Sequence, residues 1–345
     1  MTAKATVGIA GELFDDAGRF DFPGPGLQLF DDVPELDYKI FPARTPEIDP
    51  AHVRGCDMVI SGATRWDARA LEGNEQLVAV LFLGVGYDHI DVEALTHADT
   101  MLCFAPNAVR RPMACTIITF VLALAMRLIN KDRITRAGRW SDQRQYRGEG
   151  LTGKTLGSIG VGNIGHEMFR LAAPFGMRHL GCDPHVKQED VADAGVEMVE
   201  MDTLLGESDF VSVSVPLSAA THHLISAREL ALMKETAYLI STARGAVVDE
   251  QALIDALRDG QIQGAGLDVF EQEPVDPDNP LLAMDNVVVT PHSLCHTDEF
   301  YQTTWSGKID QATQIARGEV PDYLVNKEVL ERPGLQAKLK RFQTG

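Results

Sequence analysis

The sequence predicts an α/β protein built on parallel sheets, and three observations carry that prediction. Short apolar runs alternate with helix-like segments along most of the chain, the pattern of successive βαβ units. Within each run consecutive residues are apolar, as strands covered by helices on both faces require. A Gly-x-Gly-x-x-Gly run, Gly160, Gly162 and Gly165, follows one such strand and precedes a helical pattern. With 345 residues the chain exceeds the usual size of one core, so two domains are expected.

The first series of strands reads ATVGIAG, CDMVISG, LVAVLFLG and TMLCFAP, each closed by a Gly, Pro or polar turn. An apolar stretch from Met113 to Ile129 reads as a buried helix, and its most apolar part is too short for a membrane span. The polar tract NKDRITRAGRWSDQRQYRGEGLTGK follows and ends in glycines. A second series then begins: TLGSIGVG, MRHLGCDP, FVSVSVP, AYLISTA, GAGLDVF and NVVVTPH. Residues 298–345 show helical patterns without another strong strand, and they need a surface to pack on. The economical arrangement returns them to the first domain. The expected fold is therefore a Rossmann-type nucleotide-binding domain, residues 108–295, inserted into a first domain formed by residues 1–107 and 296–345.

Composition narrows the partners. Hydrophobic residues at 45% and charged residues at 23% are ordinary for a soluble globular protein. A net charge of −19, from 31 basic and 50 acidic residues, repels phosphate backbones and anionic membrane surfaces, so neither nucleic acid nor membrane is an expected partner. Five cysteines, an odd number without CxxC spacing, suit a reducing compartment, and MTAKATVGIAGELFDD does not read as a secretory signal. The expected location is the cytoplasm.

The glycine run has a specific chemistry. Gly160 permits a tight turn, Gly162 lets the backbone approach a pyrophosphate, and Gly165 lets helix and strand pack closely. The phosphates then face a helix N-terminus. The next strand ends in Asp183, 23 positions after Gly160, where a carboxylate accepts hydrogen bonds from ribose hydroxyls. That favours NAD over NADP, whose extra phosphate an Asp repels; His185 and Lys187 nearby leave NADP open, and a plain turn residue before Pro184 is the alternative for Asp183.

In an open α/β sheet, ligands collect at the carboxyl ends of strands. Arg244, Glu273 and His292 follow three strand-like runs there. Arg can hold a carboxylate bidentately, His can move a hydroxyl proton near neutral pH, and a nearby Glu favours imidazolium. Each has an ordinary alternative: a helix-flanking cation, a surface charge, a structural hydrogen-bonder. His292, Cys295 and His296 could also share one face as metal ligands if that segment is helical; with no fourth ligand apparent and Pro291 preceding, no metal is expected.

Five separated strings, LGVGYDHIDVEAL, VGNIG, STARGAVVDEQAL, GAGLDVFEQEP and VVVTPH, resemble those of the D-isomer-specific 2-hydroxyacid dehydrogenases in order and spacing, over about residues 50–325. The resemblance implies an NAD-dependent homodimer with a flavodoxin-like substrate domain, the apolar helix after residue 112 contributing to the dimer interface. It implies that His292 is the acid/base, Glu273 its partner and Arg244 the substrate-binding arginine. Asp268 corresponds to the aspartate near the nicotinamide amide. Asn163, Ile164, Val215, Pro216, Thr221, Thr242 and Ala243 correspond to further cofactor-binding positions, and Gly84, Val85 and Gly86 to the loop whose N–H groups receive a substrate carboxylate. The implied substrate is a small anionic 2-oxo or 2-hydroxy acid such as glyoxylate or hydroxypyruvate.

Two departures stand out. Where the family commonly has Gly-Gly after the histidine, this chain has Ser293, Leu294, Cys295 and His296. Arg110-Arg111 precede the apolar helix, either as a solvated hinge or as an extra anion site. Phosphite oxidation and an NAD-sensing corepressor role remain rival readings on the same scaffold.

Overall fold

The computed structural model describes residues 4–42 and 45–343. The chain forms two compact units, one from Met1–Val109 with Thr297–Gly345 and the other from Arg110–His296.

The first unit carries five parallel strands, β1 (Ala5–Ile9), β2 (Leu36–Ile40), β3 (Met58–Ser61), β4 (Ala79–Phe82) and β5 (Met101–Cys103), in the order β2-β1-β3-β4-β5. That is the flavodoxin-like order. Successive residues point to opposite faces, which explains why the runs are apolar throughout. Met58, Ile60, Leu81 and Met101 join one core, while Val59, Val80 and Leu102 join another on the opposite face. The C-terminal tail covers the first of these. Helices Asp298–Ala316 and Pro333–Gln343 place Trp305, Ile309, Ile315, Leu335 and Leu339 in the same cluster. Buried Asn326 fixes the tail to β5, accepting from Leu102 N–H at 2.8 Å and donating to Thr100 O at 2.9 Å. Lys308 on the long helix is also buried, with Nζ donating to Gln311 Oε1 at 2.9 Å, and burial pulls its ammonium down to about 7.

The second unit carries seven parallel strands: β6 (Thr155–Ile159), β7 (Arg178–Cys182), β8 (Val196–Met198), β9 (Phe210–Val213), β10 (Tyr238–Ser241), β11 (Gly264–Leu267) and β12 (Val287–Val289). Their order is β12-β11-β10-β9-β6-β7-β8. Counted from β6 this is the dinucleotide-binding order 3-2-1-4-5-6 with a seventh strand added, and the order reverses between β6 and β9.

Two strands escape the apolar pattern, β2 and β8, both sheet edges. In β2 only Leu36 is buried, and β8 is three residues, Val-Glu-Met. Edge strands pack on fewer neighbours, so their sequences need fewer apolar residues. The apolar helix also differs from expectation: it runs Pro106–Ala125 with Pro112 inside it. Burial of Ala114, Ile117, Phe120, Val121 and Leu124 in the second unit's core offsets the one backbone bond the proline removes. At 20 residues this helix is long and apolar enough to span a membrane by length and composition, yet most of it is buried within the protein. It ends where Arg127 turns left-handed (φ 53°) and lays its guanidinium over the Tyr238 ring, 5.6 Å from the centroid.

Candidate active site in the second unit

Strand register puts the site together. Cys182, Ile159, Val213, Ser241, Leu267 and Val289 lie side by side across β7, β6, β9, β10, β11 and β12. The next residue on each strand therefore emerges on one rim: Asp183, Gly160, Ser214, Thr242, Asp268 and Thr290. Four of these are positions the sequence singled out.

At the nucleotide end, Gly160 has φ 89°, and a Cβ there would lie 2.4 Å from Ser214 O. A Cβ on Gly165 would lie 2.5 Å from Gly160 O, so helix Asn163–Ala172 can sit this close only on glycine. Gly162, which caps that helix, faces open space, with nothing within 4 Å of a Cβ position. Asn163 and Ile164 form its first turn, whose N–H groups lack intrahelical acceptors and favour an anion. The Asp183 carboxylate is aimed by two backbone donors, Val161 N–H at 2.9 Å to Oδ2 and His185 N–H at 2.9 Å to Oδ1. Glycine cradle and carboxylate together fit the pyrophosphate and ribose of a dinucleotide. Past β9, Val215 and Pro216 open a turn that Thr221 closes, its hydroxyl donating to Pro216 O at 2.6 Å and accepting from Ser218 N–H at 2.8 Å.

At the other end, β10 delivers Thr242, Ala243 and Arg244; Thr242 is buried and Arg244 half-buried. β11 delivers Asp268 and then Glu273, and β12 delivers His292 through Thr290-Pro291. His292 Nδ1 and Glu273 Oε2 are 2.7 Å apart, and Phe270 N–H donates to Glu273 Oε1 at 2.9 Å. Burial raises the Glu273 carboxyl, but the His292 hydrogen bond, the Phe270 N–H and the charges of His292 and Arg244 outweigh it. The carboxyl is held below its usual range. Glu273 is thus an anion seated on Nδ1, leaving Nε2 of the half-exposed His292 as the other ring nitrogen.

His292 itself is left-handed (φ 52°), unusual for a non-glycine residue. The residues on either side of it explain how that conformation is held. Buried Asp268 Oδ1 accepts from Thr290 Oγ1 at 2.6 Å, Ser293 N–H at 3.1 Å and Leu294 N–H at 3.3 Å, binding the loop on both sides of His292. Leu294 packs against the second unit's core. Thr290, not singled out from sequence, belongs to the site; its signal was a hydroxyl at the last position before Pro-His. Residues 292–296 are not helical, so the alignment that a metal reading of His292, Cys295 and His296 needs does not form, and burial pushes the Cys295 thiol up to about 12. Arg111 forms an ion pair with Glu167 on helix Asn163–Ala172.

Gly84, Val85 and Gly86 belong to the first unit, half-buried in the loop that follows β4. Ala105 N–H donates to Gly84 O at 3.0 Å and braces that loop.

Comparison with known proteins agrees with this geometry. Residues 118–293 match the family described as D-isomer specific 2-hydroxyacid dehydrogenase, NAD binding domain. A glyoxylate reductase of Korarchaeum cryptofilum is 38% identical over 323 residues, covering 92% of this chain and 97% of that protein. A glyoxylate reductase of Thermococcus litoralis is 37% identical over 316 residues, covering 89% and 95%. Among solved structures, D-lactate dehydrogenase from Aquifex aeolicus, complexed with NAD and lactic acid, superimposes with a TM-score of 0.78 at 27% identity, over 91% of this chain and 96% of that one.

Proposed function

This chain belongs to the D-isomer-specific 2-hydroxyacid dehydrogenase family and is an NAD-dependent enzyme; from that premise we propose how its residues act on a small 2-oxo acid. Arg244 binds the substrate carboxylate, and a planar guanidinium suits that anion. His292 donates the proton from Nε2 to the C2 carbonyl oxygen during reduction and takes it back in oxidation. Glu273, ionised against Nδ1, fixes the ring orientation and stabilises the imidazolium that gives up the proton. NADH, when bound, supplies the hydride that C2 receives. Gly160 to Gly165, Asp183, Val215, Pro216, Thr221, Thr242, Ala243 and Asp268 hold the dinucleotide, with Asp183 selecting NAD over NADP.

The observation that carries this reading is the 2.7 Å His292–Glu273 pair beside the Arg244 charge at the strand ends. A 2-oxo acid presents a carboxylate for the arginine and a carbonyl for the histidine. Glyoxylate or hydroxypyruvate is the substrate we favour, supported by the glyoxylate reductases among the relatives. We further propose a cytoplasmic homodimer. All five cysteines are free, as in a reducing compartment, and Met126, Leu128, Ile129 and Trp140 are exposed apolar side chains on the second unit that a second copy could cover.

The test is NADH and NADPH oxidation against a panel of 2-oxo acids, with His292→Ala as control. Turnover with NADH that is lost in His292→Ala is expected. NADH binding without turnover of any 2-oxo acid would overturn the reading.

A further inference from the structure

We propose that His223 is a positioning residue for the Glu273 carboxylate, tying together the loops that leave β9, β10 and β11; the proposal rests on reading Glu273 and His292 as the acid/base pair.

His223 lies two residues beyond the Thr221 turn and is left-handed (φ 51°), a conformation that a histidine keeps only when its surroundings hold it. Its backbone N–H donates to Ala246 O at 2.8 Å, in the loop of Arg244. Its Nε2 lies 2.7 Å from Glu271 Oε1, two residues before Glu273. Its Nδ1 lies 4.0 Å from Asp249 Oδ2, and the His222 ring stacks on it at 4.1 Å. One residue of the segment after β9 therefore touches the segments after β10 and β11.

The Glu271 contact is not isolated. Glu250 N–H donates to Glu271 Oε1 at 3.1 Å, and Glu271 N–H donates to Glu250 Oε2 at 3.1 Å, a reciprocal clasp. Gly245, next to Arg244, packs so closely that a Cβ there would lie 1.9 Å from Phe270 C. The Phe270–Glu273 segment is thus fixed on its outer side by Glu271 and on its inner side by the Phe270 N–H on Glu273 Oε1. Oε2 is left for His292. Releasing Glu271 from His223 leaves the outer side held by the Glu250 clasp alone, which loosens the constraint that aims Glu273 Oε2 at Nδ1.

The same three side chains, His223, Asp249 and Glu271, are close enough to suggest a cation site. Their bonds argue for a clasp. Asp249 accepts from Ala252 N–H and Ser226 Oγ, Glu271 Oε1 accepts from Glu250 N–H, and the two ring nitrogens face different carboxylates.

Left-handed backbone suits asparagine, so His223→Asn keeps the turn while its shorter side chain no longer reaches Glu271. His223→Gln is long enough to restore a donor. In His223→Asn, kcat is expected to fall about tenfold, a size ordinary for loss of alignment, with the NADH Kd and melting temperature little changed. His223→Gln should recover most of the loss. In a Glu273→Gln background the same substitution should change kcat less than about twofold, because an effect carried by Glu273 cannot be lost twice. Equal losses in both backgrounds, or wild-type kcat in His223→Asn, would overturn the proposal. Ring-15N NMR of His292 gives a readout independent of turnover: its Nδ1 signal should move in His223→Asn, and an unmoved signal refutes the positioning role. Should the wild type turn over no 2-oxo acid, the functional reading fails, and the NMR comparison still decides whether His223 aims Glu273.

Discussion

Glu273→Gln separates the charge of the group bonded to His292 from its shape. In the native site Oε1 accepts from Phe270 N–H at 2.9 Å and Oε2 meets His292 Nδ1 at 2.7 Å. A carboxylate accepts both bonds, but an amide offers one acceptor and one donor group. If the Gln oxygen keeps the Phe270 bond, its NH2 faces Nδ1 and can bond only a deprotonated nitrogen, so imidazolium is opposed. If the amide flips, NH2 meets the Phe270 N–H, donor against donor. Either arrangement loses one charge-assisted hydrogen bond, worth roughly 1.5–3 kcal/mol when buried. The pair is partly exposed, so screening trims this to about 1–2.5 kcal/mol, or roughly 5- to 70-fold in rate. The assay is steady-state reduction of glyoxylate or hydroxypyruvate by NADH. We expect kcat to fall by that factor while KM for the 2-oxo acid changes less than about threefold, since Arg244 still binds the carboxylate. A kcat within twofold of wild type, or a loss confined to KM, would refute the role given to Glu273.

Asp183→Ala removes the carboxylate that Val161 and His185 N–H groups aim; kcat/KM with NADH should fall about 10- to 100-fold while that with NADPH changes far less, and an unchanged NADH-to-NADPH ratio would contradict the ribose contact. Lys308→Met tests a stability effect in the first unit: the buried amine titrates at about 7 when folded and near 10.4 when unfolded, so the unfolded state binds more protons between those values. Wild-type stability should therefore rise with pH above 7, by about 1.4 kcal/mol per unit, where the Met variant shows no such gain; melting curves from pH 7 to 8.5 should show the variant losing about 2 kcal/mol relative to wild type, and a constant difference would refute it.

How far the sequence speaks follows from where each residue's partners lie. Ten strands were legible from their apolar runs, which are buried on both faces in β3, β4 and β10 and half-buried in β12. β2 and β8 were not, since an edge strand such as Leu36–Ile40 buries one residue in five and leaves no pattern. The apolar helix departs from its expected bounds at both ends. Pro112 reads as a boundary only if local propensity decides, whereas the helix is set by burial of Ile117, Phe120 and Leu124. Its end is set by Arg127 meeting Tyr238, more than a hundred residues away in sequence. Within the site, Gly160, Asp183 and His292 were readable from strand-end position and spacing, and Asp268 through the family resemblance alone. Thr290 and His223 were not. Their significance lies in bonds to Asp268 and Glu271 from other loops, and neither Thr before Pro nor His after His is unusual by itself.

The residues after His292 show how one site can change sequence and keep geometry. Ser293 and Leu294 replace the glycines expected there, yet their side chains are not what holds the loop. Their N–H groups converge, with the Thr290 hydroxyl, on one buried oxygen of Asp268. Backbone donors are available whatever the side chain, so this anchor tolerates the substitution, provided the new side chains find space. Leu294 finds it against the second unit's core. The left-handed turn at His292 is therefore held by Asp268, and Glu273 then sets the direction of the ring within it. The two carboxylates act on different parts of the same residue, since Asp268 fixes the backbone around His292 and Glu273 fixes its imidazole.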